Sequence, residues 1–184
     1  MNIIKTKFED AIIVAPKVFG DHRGFFTESY NRDLFHRNGI DMDFIQDNHS
    51  LSQQSGTLRG MHYQLSPKAQ TKLVRVTRGA IYDVIVDIRK GSPTYGQWQG
   101  FILSADNKRQ LLVPTGFAHG FCTIVENTEV QYKVDELYSP EHDRGIAWDD
   151  PALAIDWPVQ HPVLSEKDTK HPILAEADNN FNWE

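Results

Sequence analysis

Alternation is the feature that most restricts what this chain can fold into. Across residues 73–88, Tyr82, Val84, Val86 and Ile88 share one parity while Asp83 and Asp87 take the other, the period-2 pattern of half-buried strands. The Arg78-Gly79 step inside that run is a natural turn. Further turns are marked by Phe19-Gly20-Asp21, Asn38-Gly39, Gly91-Ser92-Pro93 and Pro114-Thr115-Gly116. Runs of strand length recur at 23–30, 44–51, 57–65, 95–103, 118–125 and 128–136. That density predicts an all-β sandwich or barrel and not a βαβ sheet. Helical patterns are confined to 33–37, ahead of Asn38-Gly39, and 104–110, where Ser104 can cap a first turn.

After Trp148 the texture changes to short apolar pieces separated by Pro151, Pro158, Pro162 and Pro172. Within this stretch Ser165-Glu166-Lys167-Asp168 has the look of a helix start, and the tail is expected to wrap the sandwich. A length of 184 residues suits one domain spanning 1–184. The 19 Lys and Arg against 25 Asp and Glu give a net charge of -6 with no long run of one sign. Bulk attraction to nucleic acid or an anionic membrane is therefore not expected, and an anionic ligand would need a few placed Arg and Lys side chains. Cys122 is the single cysteine, which excludes an internal disulfide or a Cys-rich metal cluster and fits a reducing compartment. No stretch approaches the roughly 20 apolar residues of a membrane helix, and no signal-peptide core is visible. A cytoplasmic location is expected.

Chemistry concentrates in Gly56-Thr-Leu-Arg59-Gly-Met-His62-Tyr-Gln64. Arg59 and His62 have opposite nominal parity in one expected strand, and a bulge at Gly60 would bring both to one mouth of the barrel. A lone histidine is most often structural, but a second, His119, follows in Pro114-x-Gly116-x-x-His119. These stretches resemble the paired motifs of the cupin superfamily, small jelly-roll barrels with a ligand cavity. The departures matter more than the match. Gln64 stands where the second metal-binding histidine belongs, and Lys68 and Ala69 where the glutamate belongs. A transition metal wants three or four protein ligands, so with His62 and His119 alone a metal-free pocket is expected. A neutral imidazole with a pKa near about 6.5 is a competent base there, given a carboxylate to orient it. Asp83 and Asp87, on one expected strand, are candidates for that carboxylate.

Several blocks in order resemble one family within the cupins, the dTDP-4-dehydrorhamnose 3,5-epimerases. They include Pro16-Lys-Val-Phe-Gly-Asp-His-Arg23-Gly-Phe-Phe-Thr-Glu28, Gln46-Asp-Asn-His-Ser50, Leu58-Arg59-Gly-Met-His62-Tyr-Gln64, Lys72-Leu-Val-Arg75, Pro114-Thr-Gly-Phe-Ala-His119-Gly-Phe121, Tyr132-Lys133, Tyr138-Ser-Pro140 and Leu164-Ser-Glu-Lys167-Asp168. The resemblance runs from about residue 3 to 170. It implies a cupin jelly roll with a few short helices, and inversion of C3 and C5 of a dTDP-linked 4-keto-6-deoxyhexose without a cofactor. By the same resemblance His62 is the base, Asp168 orients it, Tyr132 delivers a proton on the other face, and Lys72 stabilises the enolate oxygen. Arg59 and Arg23 are implied phosphate and nucleotide contacts, since a guanidinium fork matches phosphate oxygens. Gln46, Asp47 and Asn48 suit the thymine edge or its deoxyribose, and Glu28, His119, Asp143 and Lys167 fall at further contact positions. Asp143 departs from the glutamate frequent in the family. Tyr138 is assigned to packing beside the nucleotide base. The resemblance also implies a homodimer in which the segment carrying Arg23 and Glu28 reaches into the partner, which would cover an otherwise unpaired strand edge. Two other readings remain open: a sugar cupin that epimerises one carbon or shifts the keto group between C3 and C4, and a metal-dependent or non-catalytic sugar-binding cupin.

Overall fold

The computed structural model describes residues 1–183. Strands run in chain order as β1 (Asn2–Lys5), β2 (Ile12–Ala15), β3 (Val18–Asp21), β4 (Gly24–Thr27), β5 (Gln46–Ser52), β6 (Leu58–Gln64) and β7 (Lys72–Arg78). They continue as β8 (Ala80–Asp87), β9 (Trp98–Ser104), β10 (Gln110–Val113), β11 (Phe117–Thr123), β12 (Thr128–Val134) and β13 (Asp143–Gly145). One short helix, α1 (Arg32–Arg37), and a 3-10 turn at Asp168–Lys170 complete the elements. Among the described residues no helix is long and apolar enough to cross a membrane.

Two sheets face each other, one ordered β1-β2-β10-β7-β12-β5 and the other β13-β6-β11-β8-β9, as expected of a cupin-type sandwich. Between them lies an apolar layer built from Ile13, Val74, Ile81, Ile85, Leu103 and Phe121, with others of the same parity. The outer face of the five-stranded sheet is also covered. There Val84, Val86 and Ile88 meet Ile155, Trp157, Leu174 and Phe181 of the wrapping tail. The outer face of the six-stranded sheet receives Phe35 of α1 with Ile40 and Leu112.

This second layer corrects the expectation of half-buried strands at β8. Both parities are buried, because the tail roofs Val84 and Val86 while Asp83 and Asp87, each fully buried, point to the opposite face. Asp87 is tolerated because Arg89, Ser92 and Thr94 all donate to it, satisfying a charge that burial would otherwise penalise. The predicted helix at 104–110 is a single turn. Ser104 Oγ accepts from Asn107 N at 3.0 Å as a cap should, but Lys108 turns left-handed at φ +53° and the chain leaves as β10. The predicted strand at 23–30 is the second arm of a hairpin, β3–β4, which pairs with neither large sheet.

Candidate active site

A cavity of about 420 Å³ opens between the sheets, lined on one side by Arg59, His62 and His119 and on the other by Lys72 and Tyr132. Its polar walls follow from register. β11 sits between β6 and β8, with His119 opposite His62 and, on its other side, opposite Ile85. Between His119 and Phe121 on β11 the partner strand advances from His62 to Arg59, so β6 carries one extra residue. That bulge cancels the parity difference, and Arg59 and His62 both line the cavity as expected. Gly60 permits it: its φ is +148°, and a Cβ there would lie 2.5 Å from the Gly120 Cα.

The tail supplies a third wall. Val163 bridges Thr57 in parallel, with Leu58 N donating to Val163 O at 2.9 Å and Val163 N donating to Gly56 O at 2.9 Å. This hook sets the start of β6 beside the segment that ends in the 3-10 turn. Asp168 N donates to Ser165 Oγ at 3.2 Å, and the Asp168 carboxylate is brought to 2.5 Å from His62 Nε2. Of the three candidate carboxylates, Asp168 therefore meets His62, Asp83 meets His119 Nε2 at 2.5 Å, and Asp87 is consumed by Arg89.

The electrostatics of the pair favour proton acceptance from a ligand. Burial raises the Asp168 pKa, but the neighbouring His171 and His62 imidazoles and the Ser165 hydroxyl outweigh it and hold the carboxyl well below the usual range. Burial lowers the His62 pKa further than Asp168 raises it, and Lys72 and Lys167 push the same way. His62 is thus neutral at physiological pH. Asp168 is ionised and has no proton to give, so Nε2 of His62 carries the hydrogen and Nδ1 holds the free lone pair. No described residue hydrogen-bonds that Nδ1.

On the facing sheet, Lys72 retains some accessible surface, yet loss of water around its ammonium lowers its pKa to about 8 against the upward pull of Asp143 and Asp83. It remains cationic at neutral pH. Burial raises the Tyr132 pKa, with Arg59 opposing, so the phenol keeps its proton. A base, a cation and a phenolic donor thus share one chamber, with base and phenol on opposite walls.

The other predicted positions divide into three groups. Lys167 lines the same cavity and donates to Asp143, which also accepts from Tyr138 Oη at 3.0 Å. This places Asp143 and Tyr138 at the rim, with Tyr138 60% exposed. On β5, Asp47 and Asn48 line an adjoining depression that shares Tyr132, while Gln46 donates to Asn48 at 2.8 Å. Arg23 and Glu28 are exposed on and just beyond the β3–β4 hairpin. Neither lines the cavity, and Arg23 pairs with Asp21 at 2.6 Å.

Gln64 has its own use: its side chain accepts from Ser139 N at 2.7 Å and donates to Lys68 O at 2.5 Å and Leu137 O at 3.2 Å. It pins the loop that follows β12. His62, Asp168 and His171 have potential ligand atoms within 4.8 Å of one another, but the 2.5 Å His62–Asp168 separation is that of a hydrogen bond. Two ligands on one tetrahedral zinc at about 2.0–2.1 Å would sit roughly 3.3 Å apart. His171 itself was not a sequence candidate. Its only signal there is its position three residues after Asp168, one turn along a short helix.

Comparison with known proteins agrees with this geometry. The family model described as dTDP-4-dehydrorhamnose 3,5-epimerase matches residues 5–176. A dTDP-4-dehydrorhamnose 3,5-epimerase of Shigella flexneri is 54% identical over 97% of this chain and 98% of its own. The crystal structure of the Bacillus anthracis dTDP-4-dehydrorhamnose 3,5-epimerase, with TDP and pyrophosphate bound, superposes with a TM-score of 0.92 at 60% identity, covering 94% of this chain and 98% of the other. The Legionella pneumophila dTDP-6-deoxy-D-glucose-3,5-epimerase, in complex with dTDP-4-keto-L-rhamnose, gives a TM-score of 0.92 at 48% identity, covering 96% and 94%. A bulged strand carrying a histidine, a carboxylate delivered to it by the tail and a phenol on the facing sheet are thus the local features of a chain that belongs to the dTDP-4-dehydrorhamnose 3,5-epimerase family.

Proposed function

We propose that this chain inverts C3 and C5 of dTDP-4-dehydro-6-deoxy-D-glucose to give dTDP-4-dehydro-β-L-rhamnose. The C4 carbonyl acidifies the hydrogens on both neighbouring carbons. His62 Nδ1 takes one of them, the C–H electrons move into the ring carbon–C4 bond, and the carbonyl oxygen becomes an enolate oxygen. Lys72 offers a positive charge to that oxygen, the site of greatest charge development. Tyr132 returns a proton from the opposite face, so the carbon changes configuration. His62 then releases its proton and Tyr132 regains one by exchange with water, and the sequence repeats at the other carbon. Substrate and product have the same oxidation state, so the reaction calls for no redox cofactor. The observation that carries this reading is the His62–Asp168 pair facing Tyr132 across one chamber.

Arg59, Lys167 and His119 serve the nucleotide diphosphate and sugar at the mouth, with Asp143 and Tyr138 at the rim. Gln46, Asp47 and Asn48 serve the thymidine. Arg23 and Glu28 complete the site of a second copy in a cytoplasmic homodimer. The hairpin supports this: Phe19, Phe25 and Phe26 are 51–65% exposed, and an isolated two-stranded hairpin is marginal in water without a surface to pack on.

The test is to supply dTDP-4-keto-6-deoxyglucose in deuterated water and follow C3 and C5 by NMR. Deuterium enters both carbons with no added cofactor, and His62→Ala loses exchange by roughly 10²–10⁴-fold, the usual worth of a general base. Tyr132→Phe still exchanges hydrogen but fails to invert C5. Deuterium at C5 alone would assign a single-centre epimerase, and none at either carbon would overturn the reading.

A further inference from the structure

His171 stands outside the machinery described so far, yet it is built into it. Its side chain is 10% exposed, and its Nε2 is buried without a hydrogen-bond partner. That nitrogen lies 3.5 Å from Asp168 Oδ1, the oxygen that also holds His62 Nε2 at 2.5 Å. The two imidazoles meet edge to face, with centroids 5.5 Å apart and planes at 75°. Space for the second ring comes from Gly145 on β13, directly opposite His62 in register. Any Cβ at Gly145 would fall on the His171 ring. A bare glycine thus opens a slot beside His62, and the slot is filled by an imidazole whose buried Nε2 lies 3.5 Å from the Asp168 carboxylate.

We propose that His171 is a positioning residue for the His62–Asp168 pair, with its Nε2–H directed at the shared Asp168 oxygen to fix that carboxylate in orientation and charge. The inference rests on the epimerase reading and adds to it a second imidazole that never touches substrate. Asp168 then divides its negative charge between two donors instead of concentrating it on one. A carboxylate shared in this way stabilises an imidazolium at His62 less strongly, so His62 stays neutral to lower pH. The groups facing the His171 ring are Asp168 on its own turn and His62 on β6, with Lys72 and Lys167 acting on His62 from β7 and the tail. Both cations also oppose charging of His62, so removal of His171 has one direction of effect: the acid limb moves up.

The experiment compares His171→Phe, which keeps a ring over Gly145 without a donor, with His171→Gln, whose amide nitrogen reaches about as far as Nε2. In the Phe variant kcat falls on the order of tenfold, less than the loss of the base itself, while KM stays within about twofold of the parent's. The acid limb of kcat/KM moves up by about half a unit, and the Gln variant recovers most of both changes. The His62 ring, titrated by NMR in ligand-free protein, moves in the same direction and reports independently of turnover. A Phe variant with unchanged acid limb and unchanged His62 titration would overturn the proposal, as would equal losses in the Phe and Gln variants, which would reduce His171 to packing. If the parent enzyme shows no exchange, the epimerase reading fails, while the titration still decides the role of His171.

Discussion

Substituting Gly60→Ala tests whether the bulge in β6 builds the site. Two costs add. The φ of +148° is a conformation that L side chains rarely adopt, worth about 1–3 kcal/mol. The new Cβ would also lie 2.5 Å from Gly120 Cα and 3.2 Å from His119 O. Both are backbone atoms of β11, which is held in a seven-residue ladder with β8 and has little room to move, so overpacking adds about 1–3 kcal/mol. The sum is roughly 2–6 kcal/mol, and at about 2–4 °C per kcal/mol for a chain of this size the melting midpoint drops by roughly 4–24 °C. Gly24→Ala separates the two costs. Its φ is +134° with nothing within 4 Å of the added carbon, so it carries the backbone cost alone. Differential scanning calorimetry on both variants gives the contact cost as their difference. Because the same bulge sets Arg59 and His62 on one wall, the folded fraction of Gly60→Ala also loses activity by about 10²-fold if the two side chains part by about 1 Å. A Gly60→Ala protein that melts with the parent, or no lower than Gly24→Ala, would refute the reasoning.

Lys72, with its pKa near 8, gives kcat/KM an alkaline limb close to that pH, because the cation is lost above it; Tyr132, raised above its ordinary value, titrates too high to mimic this. Lys72→Met loses roughly 10²–10³ in kcat and the limb with it, and a parent profile flat to pH 10 would contradict the assignment. Acid stability follows from two depressed pKa values. His62 contributes stability that is full above its unfolded value of about 6.5 and lost as pH falls through its native value, and Asp168 does the same from about 3.9 downward. Melting midpoints measured from pH 3 to 8 therefore decline in two stages in the parent, and Asp168→Asn flattens the lower one; identical slopes would dismiss it. Finally, Phe25→Asp combined with Phe26→Asp yields the mass of one chain by light scattering where the parent yields two, and a parent that is already monomeric would remove the hairpin from the site.

Strand alternation made the sandwich legible, and the motif spacing brought out His62 and His119 with it. Five strands escaped: β1, β2, β3, β10 and β13 are three or four residues long, too short for more than two periods of alternation, and β3 covers the Phe19-Gly20-Asp21 stretch that reads as a turn. The double burial of β8 escaped because no local pattern says that a tail more than 60 residues later in the chain will roof one face. No local pattern chooses among Asp83, Asp87 and Asp168, and only the resemblance points to Asp168. Asp83 and Asp168 are distinguished only by which strand or hook they ride on, and the His62–Asp168 bond spans 106 positions. His171 was invisible because its role depends on a missing side chain at Gly145, on another strand.

That span of 106 positions also sets an order of events. β1 to β12 all precede residue 168 along the chain, so the strands that wall the chamber are synthesised before the carboxylate that meets His62. During that interval His62 has its walls but lacks its partner. Docking of the tail therefore does two jobs at once, roofing the apolar face of β8 and completing the His62–Asp168 pair, so a clipped chain would expose that face as well as leave His62 without its carboxylate.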